Sequence, residues 1–130
     1  MEDSAFSAEF CNFIHSAIPS VPAAELLLLV FRQPDRWWTL PELLDELPSD
    51  VNIGERETAA CLEALRAKEL IEIDDEKRMR YHAASDSLNQ QVRTLAQAYN
   101  ERPVTLIRMI YALRDSRIRS FAEAFKFRKR

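Results

Sequence analysis

Residues 54–82, GERETAACLEALRAKELIEIDDEKRMRYH, change hydrophobic period halfway along, and that change decides how the chain folds. From Glu55 to Lys68, Thr58, Cys61, Leu62 and Leu65 recur at i, i+3, i+4 and i+7, the spacing of one face of an amphipathic helix. From Leu70 the period becomes two. Ile71 and Ile73 alternate with Glu72, as in a half-buried strand. Asp74-Asp75-Glu76-Lys77 reads as a polar turn, and Arg78 to His82 alternates again, with Met79 and Tyr81 on one face. The stretch therefore predicts a helix running directly into a two-stranded antiparallel hairpin.

Working outward toward the N terminus, Pro48 to Asn52 forms a turn, and Gly54, the only glycine in the chain, opens the helix. A lone glycine there predicts an unusual backbone angle or a close approach. Thr39-Leu40-Pro41-Glu42 is a capping-box sequence, followed by an apolar face of Leu40, Leu43, Leu44 and Leu47. Trp37-Trp38 reads as a short extended piece pairing with the hairpin. Before it, about Pro22 to Arg32, Leu26-Leu27-Leu28-Leu29-Val30-Phe31 is apolar almost all round and belongs in the middle of the domain. A first helix spans Ser4 to Ala17, with Ser4 as N-cap and Phe6, Phe10, Phe13, Ile14 and Ala17 on one face; Pro19 to Pro22 ends it.

Toward the C terminus, Ser85 or Asp86 caps a helix carrying Leu88, Val92, Leu95, Ala96 and Tyr99, interrupted at Asn100-Glu101-Arg102-Pro103. Val104 to Leu113 fits a helix or a strand, with helix favoured, and Ser116 caps a last helix with Ile118, Phe121, Ala122 and Phe125 inward. The expected architecture is one domain over 1–130, mainly α with a small β-hairpin. It comprises an N-terminal helix (1–21), a core (22–99) and a C-terminal helical extension (100–130).

The order of helix, short strand, helix, helix, hairpin and helix over residues 22–99 resembles bacterial winged helix-turn-helix transcriptional regulators of the MarR type. "TLPELLDEL" (39–47) and "TAACLEALRAKELIEI" (58–73) carry most of the likeness. Where members of that family often place a helix-ending glycine, this chain has Glu69. The resemblance implies a dimeric, cytoplasmic DNA-binding regulator whose third core helix enters the major groove while the hairpin touches backbone or minor groove. Carried over residue by residue, the expected DNA contacts are Arg56 and Arg66 on that helix and Lys77, Arg78 and Arg80 on the hairpin. Lys126 and Arg128 of the basic tail add to them, with Arg56 placed to read guanine. The same resemblance assigns Phe6, Phe10, Phe13, Phe121 and Phe125 to a two-fold interface. Burying a phenylalanine is worth roughly 1.5–3 kcal/mol, so these rings must be covered by a second copy or by the chain itself.

Charge argues for another partner. The chain has 18 Lys/Arg and 21 Asp/Glu, but residues 114–130 alone hold seven basic residues against Asp115 and Glu123. Residues 22–82, which the resemblance assigns to DNA binding, carry eight basic and fourteen acidic residues, a net of −6. DNA affinity leans on phosphate neutralisation, which a surface of that sign supplies poorly. The competing reading is therefore an acidic winged-helix module that regulates transcription by binding a transcription-associated protein.

Composition narrows the remaining classes. Apolar content of 47% with 30% charged residues is that of a globular protein, and Leu26 to Phe31, the longest apolar run, is far short of a membrane span. Two cysteines make no disulfide framework, and a reducing cytoplasm is the expected location. Cys11 and His15 stand four apart on a predicted helix, but Cys61 and His82 would have to complete a metal site from distant segments, so no metal is expected. No glycine-rich phosphate loop, nucleophile–base pair or apolar carboxylate pair is present, so neither an enzyme nor a cofactor is expected.

Overall fold

The computed structural model of the chain describes residues 6–48 and 53–113. Among these, α1 (Ala8–Ala17), α2 (Val21–Arg32), α3 (Leu40–Glu46) and α4 (Glu55–Ala67) precede a hairpin of β1 (Ile71–Ile73) and β2 (Met79–Tyr81). Two further helices follow, α5 (Asp86–Glu101) and α6 (Pro103–Leu113). The domain is mainly helical, with six helices and one small antiparallel hairpin among the described residues. No single described helix is long and apolar enough to cross a membrane.

Helix α2 is the centre. Ala23 through Val30 are buried without interruption, as the unbroken apolar run requires. The Ser20 hydroxyl caps the helix by accepting from the Ala23 amide at 3.3 Å, and Pro22 sits in the first turn, where its missing N–H costs nothing. Around α2 pack α3, α4, α5 and β2. The one acidic residue within the run, Glu25, is 7% exposed and accepts the Tyr99 hydroxyl of α5, so its burial leaves no orphaned carboxylate.

Helix α3 starts with the anticipated capping box. Thr39 Oγ1 accepts from the Glu42 amide at 3.3 Å, and Glu42 Oε1 accepts from the Thr39 amide at 2.9 Å. That second hydrogen bond, made to the ionised carboxylate, holds the Glu42 carboxyl below its ordinary pKa, with Arg36 adding to the effect. Helix α1 begins later than its sequence suggests, because Ser7 is the residue whose hydroxyl caps the Phe10 amide, at 3.1 Å. Ser4 lies outside the described residues.

Gly54 departs from expectation. Its φ of −82° is ordinary extended backbone, and an added Cβ would meet nothing within 4 Å. It serves as an N-cap without a capping side chain, its carbonyl accepting from the Thr58 hydroxyl at 2.9 Å. The left-handed backbone lies instead at the other end of α4. Glu69 has φ 64°, with its N–H bonded to Arg66 O at 2.9 Å and the Leu70 N–H to Leu65 O at 3.1 Å. Those two bonds are a Schellman cap, closed by the fully buried Leu65 and Leu70. A glutamate occupies the position that glycine fills most cheaply.

The hairpin pairs Ile71 with Tyr81, Glu72 with Arg80 and Ile73 with Met79. Trp38 adds a bridge on the outer side of β2, exchanging two 2.7 Å hydrogen bonds with Met79, so the extended reading of Trp37-Trp38 holds. Ile71, Met79 and Trp38 are buried, and the Tyr81 ring meets Phe31 of α2 edge-on at 5.1 Å between centroids.

Replacing Glu69 by glycine removes the steric cost of the left-handed conformation, offset in part by the greater freedom of unfolded glycine. The variant E69G is expected to gain about 0.5–1 kcal/mol in denaturant unfolding, with the slope unchanged.

Candidate functional site

The surface that sequence assigns to recognition is built from α4 and the hairpin. Packing Thr58, Cys61, Leu62 and Leu65 inward leaves Glu55, Arg56, Glu57, Ala59, Ala60, Glu63, Arg66 and Ala67 exposed on α4. That is the outward face the periodicity predicts. Arg56 stands in the first turn between two glutamates and has no ion-pair partner among the described residues. Arg66 does not project freely. Its Nε and Nη2 donate to Glu63 Oε1 at 3.0 and 2.7 Å, one turn back on the same face. The bond draws the Glu63 carboxyl below and the Arg66 guanidinium above their ordinary pKa values.

The hairpin arginines are engaged in the same way. Arg80 donates through Nε at 3.0 Å to Glu72 Oε2, its cross-strand partner, with Nη2 on the same oxygen; His82 Nδ1 approaches that oxygen to 3.8 Å. Arg78 reaches Asp74 Oδ2 with Nε and Nη2, both at 2.8 Å, and Glu76 at 3.4 Å. Asp74 in turn organises the turn: its Oδ1 accepts the Glu76 and Arg78 amides at 3.0 and 2.8 Å. The Arg78 amide above all, and then its guanidinium, hold the Asp74 carboxyl below its ordinary pKa. Lys77 sits in this turn at φ 63°, exposed and without an ion-pair partner among the described residues.

An aromatic floor lies beneath these charges. The Arg80 guanidinium is 4.5 Å and that of Arg78 5.7 Å from the half-buried Trp37 ring, while Arg36 covers the buried Trp38 ring at 3.6 Å. Behind the hairpin, the Tyr81 hydroxyl donates to Asn89 Oδ1 at 2.7 Å, and burial pushes its pKa up to about 12. The ring stays neutral and anchors the hairpin to α5. Sequence reasoning missed the acidic partners Glu72, Asp74 and Glu63 because it treated each arginine as a separate projection. The i,i+3 spacing of Glu63 and Arg66 carried that signal, as did the opposition of Glu72 and Arg80 across the strands.

The interface assigned to phenylalanines changes most. Phe10 is 1% and Phe13 6% exposed, and both belong to the chain's own core with Ile14, while Phe6 packs half-buried against Phe10 at 5.2 Å. Phe10 and Phe13 are therefore covered within the chain, on the side where α1 packs against α5. Phe121, Phe125, Lys126 and Arg128 lie outside the described residues.

Cys61 is buried, and that burial raises its thiol pKa above the ordinary value, which makes it a packing residue rather than a nucleophile. Cys11 Sγ touches Met109 Sδ at 3.6 Å, joining α1 to α6. Among the described residues no group of three or more His, Cys, Asp or Glu could hold a metal ion. An open cleft of about 520 Å³ between α2 and α5 is lined by Leu28, Phe31, Arg32, Ala96, Gln97, Tyr99 and Asn100. Arg32 is the only charged group among its described lining residues.

Compared with known protein families, with characterised proteins and with solved structures, the chain finds no match in any of the three.

The Asp74 carboxyl titrates below its unfolded value, so its support for the turn is complete above the ordinary aspartate range and is lost as pH falls through the lowered folded value. Amide exchange at Glu76 and Arg78 is expected to accelerate in that acidic window relative to the other hairpin amides. In D74N the pH dependence should vanish and the fast exchange persist at neutral pH.

Proposed function

We propose that this chain is a winged-helix module that acts in the regulation of transcription by docking on another protein rather than by reading duplex DNA. The winged-helix part rests on element order and contacts. Helix α2, the Trp38 bridge, α3, α4, the hairpin and α5 follow one another as in the regulators that residues 22–99 resemble, with α4 packed on α2, α3 and β1.

The observation that carries the choice of partner is the neutralisation of the basic groups. Arg66, Arg78 and Arg80 each hold a carboxylate of their own surface at 2.7–3.0 Å. Turning any of them onto a phosphate requires breaking that bond and leaves an acidic side chain facing the nucleic acid. Among the five described basic residues assigned to DNA, only Arg56 and Lys77 are without an ion pair. Two phosphate contacts give a salt slope of about −2, so affinity falls only about tenfold between 50 and 200 mM salt, against 10³–10⁵-fold for six to ten contacts. A net −6 over residues 22–82 instead complements a partner with a basic face, and Trp37 with its neighbouring arginines has the composition of an interface hot spot.

Direct DNA contact is the second reading, favoured by Arg56 on the outward face of α4. Anisotropy titrations of the full chain on labelled random-sequence duplex, between 50 and 200 mM salt, separate the two. Protein docking predicts micromolar or weaker affinity, no base preference and a log–log slope shallower than about −3. Nanomolar binding with a slope near −6 or steeper would overturn it.

The combined change Glu72→Gln and Asp74→Asn adds a second check. It frees Arg80 and Arg78, and under the proposal it should strengthen binding to duplex and steepen the slope by about 2. No change would mean that the two arginines already reach phosphate in the unaltered chain.

A further inference from the structure

The strand that Trp38 adds to the hairpin stops after a single bridge. Met79 exchanges both of its backbone hydrogen bonds with Trp38 at 2.7 Å, so the N–H and C=O of Met79 face that side of β2. Those of Arg80 turn the other way, toward its partner Glu72 on β1. Alternation along an antiparallel strand then returns the N–H and C=O of Tyr81 to the Trp38 side. The same register, continued, would set Arg36 opposite Tyr81. Arg36 does not pair there, because its N–H bends back to Gln33 O at 3.0 Å and the chain leaves the sheet. Among the described residues neither backbone group of Tyr81 has a hydrogen-bond partner.

Where the strand stops, a cleft of about 340 Å³ opens. Pro34 and Asp35 line it from the departing chain, Tyr81 from the end of β2, and Asp86 and Asn89 from α5. The Tyr81 hydroxyl, donating to Asn89 Oδ1 at 2.7 Å, holds this strand end against α5. Asp35 and Asp86 are exposed and have no ion-pair partner among the described residues, whereas Arg80, also in the lining, is committed to Glu72. The uncommitted charge of the cleft is therefore negative.

We propose that the cleft takes an extended segment of the partner protein that carries a lysine or arginine, added as a strand beside Tyr81. The residue opposite Tyr81 exchanges two backbone hydrogen bonds with it, as Trp38 does with Met79. Its side chain lies on the Tyr81 face of the sheet, toward α5 and Asp86. Main-chain bonds supply affinity in this mode, and the side chains that flank them supply specificity. Other occupants fit less well. A partner helix spends its backbone groups internally and has none for Tyr81, and two unpaired carboxylates repel a small anion. The proposal rests on the protein-docking reading and deepens it, because it assigns the partner's basic character to one residue of an extended segment.

The test is an amide NMR titration of the full chain at about pH 7.5, above the ordinary histidine range. The probe is a soluble peptide of alternating threonine and valine around one central lysine. The Tyr81 amide, fast to exchange in the free chain, should shift and gain at least about tenfold protection at saturation. Shifts at Asp35, Ala83 and Asp86 should accompany it. The variant D35N/D86N, its spectrum otherwise unchanged, should bind the peptide about fivefold more weakly. Methylating the backbone nitrogen of the lysine removes the donor to Tyr81 O and should abolish binding. An unmoved Tyr81 amide, equal binding of the methylated peptide, or equal binding of a peptide with glutamate in place of lysine would each overturn the proposal. Random-sequence duplex added to the same protein separates this failure from that of the underlying reading. With duplex silent, an unmoved Tyr81 removes strand addition alone. Nanomolar duplex binding that moves α4 and hairpin amides removes protein docking, and strand addition with it.

Discussion

The structure depends on burying α2 from every side. Eight consecutive residues, Ala23 to Val30, are withdrawn from water, including four leucines in a row. At roughly 1.5–3 kcal/mol for each buried leucine, no arrangement that leaves one side of this helix wet is competitive. The chain answers by laying α3, α4, β2 and α5 around it. Glu25 turns the constraint into a connection. A carboxylate buried in such a helix must be satisfied, and the Tyr99 hydroxyl that satisfies it holds α5 against α2.

The second organising feature is electrostatic and shapes the surface more than it stabilises the fold. Ion pairs this exposed are worth little to folding, commonly below about 1 kcal/mol. Their effect is on what the surface presents. Glu63, Glu72 and Asp74 each occupy an arginine that would otherwise project outward, and the Trp37 ring lies within 5.7 Å of both hairpin guanidinium groups. The result is a preorganised, nearly neutral patch of aromatic and guanidinium groups on an acidic body. Under the proposed function, such a patch would meet a protein surface rather than a phosphate backbone, whose recognition relies on uncommitted positive charge.

Helix α1 packs differently from what its phenylalanines advertise. Phe10 and Phe13 close the core from the α1 side, and the Cys11–Met109 contact ties α1 to α6. The apolar surface left exposed lies farther along, on Val104 and Tyr111. A count of aromatic residues outside the central unit could not show this, because an amphipathic stripe has the same composition whether it meets its own domain or another copy.

The sequence by itself determined the local structure. Period changes marked α4 and the hairpin, the Thr39–Glu42 box marked the start of α3, and the leucine run marked the central helix. Each of these is set by residues within a turn or two of one another, so short-range spacing carries the information. The outward face of α4 was legible for the same reason. Tertiary structure alone decided where α1 packs, which hairpin residue the Trp37-Trp38 piece pairs with, that Glu25 is answered by Tyr99, and that Gly54 is conformationally ordinary. The position of Glu69, where a helix-ending glycine is usual, was legible in the sequence; that it reaches its left-handed angle depends on Leu65 and Leu70 both being drawn into the core. These outcomes depend on which surfaces far apart in the chain cover one another. That depends on how much apolar area is buried in three dimensions, and local spacing does not encode it.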